Sequence, residues 1–365
     1  MRKKIAIIFG QPSPYRVDFI SYLEKNYPQY EFRFFYGKRT NARSWDIDFS
    51  QLIKPTEVEL GIVILKRKFD NRTIIYSSKI KEHLDKFVPD VIVASEYNSM
   101  AQGAMKWAKK NNKYFISWTD GTAYSERNIS IIQKLLRKKI VKKADGFIAS
   151  SSKSRELQIS YGAPKDQIFI SLLTVNTEKY KVEHSEPQKI SLIYVGSLIE
   201  RKGVDLLLRA VSKIDSADFV LNIVGDGCEK ENLRLLAKQL KIEDKINFCG
   251  FVATEQMKDV YASNSIFVLP TREDCFGLVI LEAMCAGLPV VISKYADGAQ
   301  DLIENNYNGI IIDPQDTILF AKKLEQLILD ENLRKIMGNN SKSKVEDFSF
   351  SKVSEPFIQA IESVL

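Results

Sequence analysis

The chain has 365 residues, 45% of them hydrophobic and 27% charged, which suits two globular domains and excludes a disordered or collagen-like chain. No stretch approaches the roughly 18 apolar residues of a membrane-spanning helix. The net charge of +7 is uneven: residues 1–190 hold 34 Lys/Arg and 20 Asp/Glu, whereas residues 191–365 hold 19 and 26.

The start, MRKKIAIIF, reads as a buried first strand, Lys4–Phe9, and not as a signal peptide. Its apolar run is short and meets no A-x-A pattern before Gln11, Pro12 and Ser13. Tyr15–Asn26 has helical spacing, with Phe19, Tyr22 and Leu23 on one face, and Glu31–Tyr36 is the next strand. Residues 37–75 read as irregular, with Gly61–Leu65 a candidate strand and Trp45–Phe49 a loop. Ile80–Phe87 is helical, Asp90–Ala94 a strand, Met100–Asn111 a helix and Lys113–Trp118 a strand. Gly146–Ser150 is a strand, followed by a Ser-rich turn, a helix to Tyr161 and a last strand at Gln167–Ile170. This alternation predicts a mostly parallel sheet over a first domain, 1–173.

Residues 174–190 are polar, contain a proline and read as a linker. A second domain, 191–345, repeats the alternation. Its strands are Ser191–Val195, Phe219–Val224, Ile246–Phe248, Ser265–Leu269, Pro289–Ser293 and Gly309–Ile312. Its helices are Val204–Ile214, Lys230–Leu240, Thr254–Ala262, Leu278–Cys285, Ile318–Leu329 and Glu331–Lys335, with a short helix or turn at Leu302–Glu304. Residues 346–365 hold a last helix, Phe350–Val364, that can cross back to the first domain. Two doubly wound α/β units in series predict a clefted protein with ligands at the carboxyl ends of strands.

Cys228, Cys249, Cys275 and Cys285 form no CxxC pair, and His83 and His184 are the only histidines. A Cys/His metal site is excluded, and buried or semi-buried reduced thiols in a cytosolic protein are expected. The densest basic run, Lys134–Lys143, has two readings. It is a solvated helix with Leu135, Leu136, Ile140 and Val141 facing the core, or an interfacial helix on anionic lipid. Nucleic acid is excluded as a partner, since no helix-turn-helix, RNP-like segment or zinc finger accompanies the charge.

Four turns in the second half each follow a predicted strand. In Gly196–Ser197–Leu198–Ile199–Glu200–Arg201–Lys202–Gly203, small residues precede an Arg–Lys pair able to hold phosphate. Gly225–Asp226–Gly227 permits close approach by a ligand, and the amides near Gly250 and Phe251 can meet a base. In the segment Thr271–Arg272–Glu273–Asp274–Cys275–Phe276–Gly277–Leu278, Asp274 precedes a helix and Glu282 lies eight residues further on, within it. Asp274 either faces a ligand at the helix amides or caps the helix, and Glu282 either accepts ligand hydroxyls or sits exposed.

Together these turns resemble the C-terminal half of glycosyltransferase family four, within the GT-B superfamily. The resemblance covers roughly 191–312 well and the first half only in organisation. It implies a GT-B fold, two Rossmann-like α/β/α domains facing across a cleft, with a nucleotide-sugar donor mainly on the second. It further implies that Arg201 and Lys202 neutralise the donor diphosphate, with Gly196 and Ser197 at the cleft turn. Phe276, Gly277 and Leu278 supply backbone beside the sugar, and Glu282 contacts the ribose. Asp274 stands where the family has a glutamate touching the transferred sugar. Such enzymes retain anomeric configuration and need no metal.

On the acceptor side, the resemblance points to the loop after the first strand: Gly10, Gln11, Ser13, Tyr15 and Arg16. The first-domain histidine often found in the family is missing, and His83 reads as a helix residue. Asp120 is its polar substitute, or else a turn residue before Gly121, and Glu96 is a further cleft candidate. The expected activity is transfer of a hexosyl unit from a UDP- or GDP-sugar to a saccharide or lipid-linked saccharide, in surface polysaccharide synthesis. The expected location is the cytoplasm, with a peripheral position at the inner face of the cell membrane as an alternative. Competing readings are a nucleotide-sugar epimerase or hydrolase, a non-catalytic binding subunit, and a dinucleotide oxidoreductase. The last is disfavoured because GQPSPYR replaces G-x-G-x-x-G after the first strand.

Overall fold

The computed structural model describes residues 2–37, 47–59, 61–65, 72–76, 79–183, 187–215 and 218–365. His184 and part of the Trp45–Phe49 stretch lie outside them. Two compact units emerge. The first runs to Asn176 and takes back Phe350–Leu365, and the second is Thr177–Ser349. Among the described residues no helix is long and apolar enough to cross a membrane.

The first unit is built on strands β1 (Lys3–Phe9), β2 (Tyr30–Gly37), β3 (Thr56–Val58), β4 (Gly61–Leu65), β5 (Arg72–Tyr76), β6 (Val91–Ser95), β7 (Tyr114–Thr119), β8 (Gly146–Ala149) and β9 (Ile168–Ile170). Seven of these form one sheet in the order β3-β2-β1-β6-β7-β8-β9, with every pairing parallel. The β4 and β5 strands pair antiparallel as a separate hairpin, so the reading of 37–75 as irregular holds only in part.

Parallel strands are buried on both faces, and β1 shows why the sequence permits this. Ala6 and Ile8 enter one core while Ile5, Ile7 and Phe9 enter the other, the two-residue period of a strand applied to an all-apolar run. The helix Pro14–Asn26 closes the second core with Val17, Phe19, Ile20 and Leu23, whereas Tyr22 is only half-buried. The C-terminal helix Phe350–Glu362 packs there too: the Phe357 ring meets Phe19 at 5.5 Å and Trp118 at 5.2 Å, both edge-on.

The carboxyl group of Glu24, on that first helix, accepts the Ile53 N–H at 2.8 Å, while its second oxygen is buried and meets no hydrogen-bond partner among the described residues. Burial pushes this group up to about 7, against the pull of the Ile53 amide and of Lys25. Because the folded value lies above the ordinary 4.5, ionisation opposes folding. The cost appears as pH rises from about 4.5 and is complete above about 7. Glu24→Gln is therefore expected to raise the denaturation midpoint at pH 8 and to flatten its fall between those values. Parallel pH profiles for the two proteins would disprove the assignment.

The second unit is built on β10 (Ile190–Val195), β11 (Phe219–Val224), β12 (Ile246–Gly250), β13 (Ile266–Leu269), β14 (Val290–Ser293) and β15 (Gly309–Ile312). They form a second parallel sheet in the order β12-β11-β10-β13-β14-β15. Several boundaries differ from the sequence reading. Thr254–Ala262 divides into a 3-10 turn and the helix Met257–Ala262, a helix occupies Ala299–Leu302, and the helix begun at Glu331 runs on to Val345. Within the expected linker, Thr177 and Tyr180 are buried in the second unit. None of the four cysteines forms a disulfide among the described residues, but Cys228 and Cys249 are exposed, contrary to the expected burial.

Candidate functional site

In the second sheet the chain lays down β10, β11 and β12 in one direction, then returns to build β13, β14 and β15 on the other side of β10. Connections therefore diverge between β10 and β13, and the crevice beyond their carboxyl ends is where open α/β sheets bind ligands. The segments leaving these strands are 196–203 and 270–277, which hold most of the predicted donor-side residues. They are tied together through backbone. Arg201 O accepts the Arg272 N–H at 2.8 Å and the Thr271 hydroxyl at 3.1 Å, and the Arg201 guanidinium donates to Glu273 O at 2.8 Å. Arg272, which the sequence reading passed over, grips both carboxylate oxygens of Asp205 at 2.7 Å.

The central pair is Lys202 Nζ and Asp274 Oδ2, 2.5 Å apart, each side chain 15% exposed. Burial alone would raise the Asp274 carboxyl. The Lys202 ammonium, the Arg201 guanidinium and the Phe276 N–H at 3.4 Å outweigh it and hold the group below its ordinary value. Asp274 does not cap the helix Leu278–Cys285. That position belongs to Gly277, at φ 79° with no side-chain cap bond, so the cap reading is corrected. Phe276 is buried and Leu278 half-buried beside this turn.

The glycines of the β11 turn answer to the chain itself. At Gly225, φ is 134° and an added Cβ would sit 1.9 Å from Gly196 O. At Gly227 it would sit 2.3 Å from Leu198 O. The two turns are laced by Gly196 N–H to Val224 O, 3.0 Å, and Leu198 N–H to Asp226 O, 2.9 Å. The close approach expected there of a ligand is made by the neighbouring loop. Ser197 is exposed at its rim, Gly250 O accepts the Gly225 N–H at 2.8 Å, and the Phe251 ring is exposed.

Glu282 is not a solvated helix position. Its carboxylate accepts the Tyr261 phenol at 2.8 Å and a further hydrogen bond from Tyr180. Burial raises its pKa above the ordinary value, and the two phenols pull it partly back. Neither tyrosine was legible as a site residue: Tyr180 lies in the apparent linker, and Tyr261 is 81 positions away from it. Tyr261→Phe is expected to cost about 1.5–3 kcal/mol of stability, the worth of a hydrogen bond to a charged group. The loss should grow with pH, since a desolvated carboxylate destabilises only once ionised. Urea denaturation at pH 5 and pH 8 checks it, and an equal loss at both would refute the electrostatic account.

The first sheet has a matching divergence between β1 and β6. Gly10, Gln11, Ser13, Tyr15 and Arg16 follow β1, Glu96 follows β6, and Asp120 follows β7. Arg16 and Asp120, separate candidates in the sequence, form one ion pair at 2.5 Å, with side chains 4% and 29% exposed. Asp120 Oδ1 also accepts the Ser150 hydroxyl, which in turn accepts the Trp118 indole N–H at 2.8 Å. The guanidinium lies 4.0 Å from the Trp118 ring centre and 5.0 Å from that of Phe9. Asp120 is thereby a half-buried anchor for the buried Arg16, and the simple turn reading is corrected. Glu96 is exposed at φ 66°, left-handed backbone unusual outside glycine, and accepts from Asn98 Nδ2 at 3.1 Å. His83 lies on the helix Ile80–Phe87 with its ring 6.3 Å from that of Phe35.

Residues 176–344 match the family model for glycosyl transferases group 1. Sulfoquinovosyl transferase SQD2 of Arabidopsis thaliana is 26% identical over 301 residues, 76% of this chain and 57% of its own length. A Campylobacter jejuni protein named GalNAc-alpha-(1->4)-GalNAc-alpha-(1->3)-diNAcBac-PP-undecaprenol alpha-1,4-N-acetyl-D-galactosaminyltransferase is 31% identical over 176 residues, 47% of this chain and 48% of its own. The chain spans about half the length of the curated relatives it matches. Among solved structures, HepE of Anabaena in complex with UDP superimposes with a TM-score of 0.79 over 100% of both chains at 17% identity. At that identity the likeness is one of fold, and the fold is GT-B.

Proposed function

We propose, from the match of residues 176–344 to the family model for glycosyl transferases group 1, that this chain transfers a hexosyl unit from a nucleotide-sugar to a saccharide or lipid-linked saccharide with retention of configuration. The observation that carries the reading is the Arg201–Lys202–Asp274 cluster at the β10/β13 divergence. It sets two fixed cations beside a glycine-started helix, where a leaving diphosphate gathers negative charge. Asp274 holds the Lys202 ammonium in place at 2.5 Å, and the ammonium needs only a small movement to exchange one anionic partner for another. In this reading Gly196, Ser197, Phe276, Gly277 and Leu278 line the donor, and Glu282, oriented by its tyrosines, meets the ribose. Arg16 and Glu96 then serve the acceptor. The relative that acts on an undecaprenol-linked saccharide and the UDP complex of the fold neighbour support this choice of acceptor and donor classes.

The test is a donor screen by mass spectrometry. Full-length protein meets a panel of UDP- and GDP-sugars with simple saccharides and a crude lipid extract. Depletion of one donor with a matching mass gain on an acceptor is expected, and both should vanish in R201A/K202A. An isomerised donor without acceptor product, or no turnover by folded protein, would overturn the reading. Transfer should persist in EDTA, because Arg201 and Lys202 supply the countercharge; activity lost to chelator and restored by Mg²⁺ would overturn that part.

A further inference from the structure

The helix Ile131–Lys143 carries chemistry that sugar transfer does not use. A capping box pins its first turn: the Ser130 hydroxyl accepts the Gln133 N–H at 3.3 Å, and the Gln133 amide oxygen accepts the Ser130 N–H at 3.1 Å. Held by that box, Ile131, Ile132 and Leu135 are 76%, 71% and 61% exposed. The expectation that Leu135 and Leu136 face the core is corrected: Leu136 is half-buried, and Ile140 and Val141 alone are buried.

At about 100° per residue, Ile131, Leu135, Lys138, Lys139 and Lys142 fall within one arc of about 100°, flanked by Ile132 and Lys134. These four lysines are exposed, and none is ion-paired among the described residues. Arg137 differs. Its guanidinium turns inward to Glu126 at 2.8 Å and lies 5.4 Å from the Tyr97 ring centre. The outer face is thus aliphatic over its first turns and cationic over its last.

We propose that this face docks on an anionic lipid surface. Ile131, Ile132 and Leu135 enter the acyl boundary, and Lys134, Lys138, Lys139 and Lys142 lie on headgroup phosphates. A lipid interface accepts both chemistries at once, because long lysine stems reach the charged layer while branched side chains leave water. A protein partner would have to bury the same ammoniums, which are depleted at interface cores. A nucleic-acid backbone offers the three aliphatic side chains nothing. The inference goes beyond the catalytic reading and stands independently of it.

Vesicle co-sedimentation of the full chain tests the proposal, with phosphatidylcholine alone and with added phosphatidylglycerol. Binding is expected only to the anionic vesicles and should weaken as salt is raised. I131S/I132S/L135S and K134Q/K138Q/K139Q/K142Q should each reduce it by about ten-fold or more, with unchanged thermal melting. Absence of binding to anionic vesicles, or wild-type binding by both folded variants, would overturn it. So would a concentration-dependent dimer, seen without lipid and dispersed by I131S/I132S/L135S, which would assign the face to a second copy. Vesicle binding is read without turnover, so its failure leaves the transfer reading untouched, and the converse holds.

Discussion

Lys202→Met is expected to lower kcat/KM for glycosyl transfer by about 10²–10³-fold, the usual effect of deleting one group that stabilises developing negative charge. The same change should destabilise the second unit by about 3 kcal/mol, because Asp274 is left as a desolvated carboxylate without its closest cation. The pH dependence follows in sign. In the wild type the Asp274 carboxyl lies below its ordinary 3.8, so the pair's contribution is present above that value and is lost as pH falls through the depressed one. In the variant, burial prevails and the carboxyl rises, so the deficit is largest near neutrality and shrinks on acidification. Lys202→Met with Asp274→Asn removes both charges. The double variant should regain most of the stability while transfer stays low. Denaturation curves at pH 7 and pH 4, beside initial rates, separate the two effects; a double variant no more stable than Lys202→Met would dissolve the pair as an electrostatic unit.

Gly225→Ala is expected to cost about 3 kcal/mol or more and to abolish donor binding with it. Two penalties coincide. The backbone stands at φ 134°, and the new Cβ would lie 1.9 Å from Gly196 O and 2.9 Å from its carbonyl carbon. Both atoms are backbone, so no rotamer relieves the clash, and the β10 turn carrying Arg201 and Lys202 must shift. Gly250→Ala is the control. It too has a left-handed φ, 74°, but opens on empty space, so only the conformational cost of about 1–2 kcal/mol applies. Equal melting temperatures for the two variants would mean that the turns are not rigidly interlocked.

Much of this was legible in one dimension. Apolar runs bounded by Gly, Pro and Asn marked the strands, because burial on both faces removes the polar alternation that would blur them. The turn 196–203 and the segment 270–278 stood out because small residues, adjacent cations and a carboxylate crowded into short stretches directly after strands. What stayed hidden depends on residues far apart in the chain. Arg16 and Asp120 pair across 104 positions, and Lys202 and Asp274 across 72.

The sequence by itself determined the α/β alternation, the Gly-rich and charged turns at 196–203 and 270–277 and the basic character of the first half, since each is written in local spacing or composition. Only the tertiary structure decided which carboxylate each cation meets, that Tyr180 and Tyr261 hold Glu282, and which face of the basic helix is left bare. The reason is geometric. Strand order sets which loops emerge side by side, and a partner brought in by sheet topology leaves no periodic trace in the residues around either member of the pair.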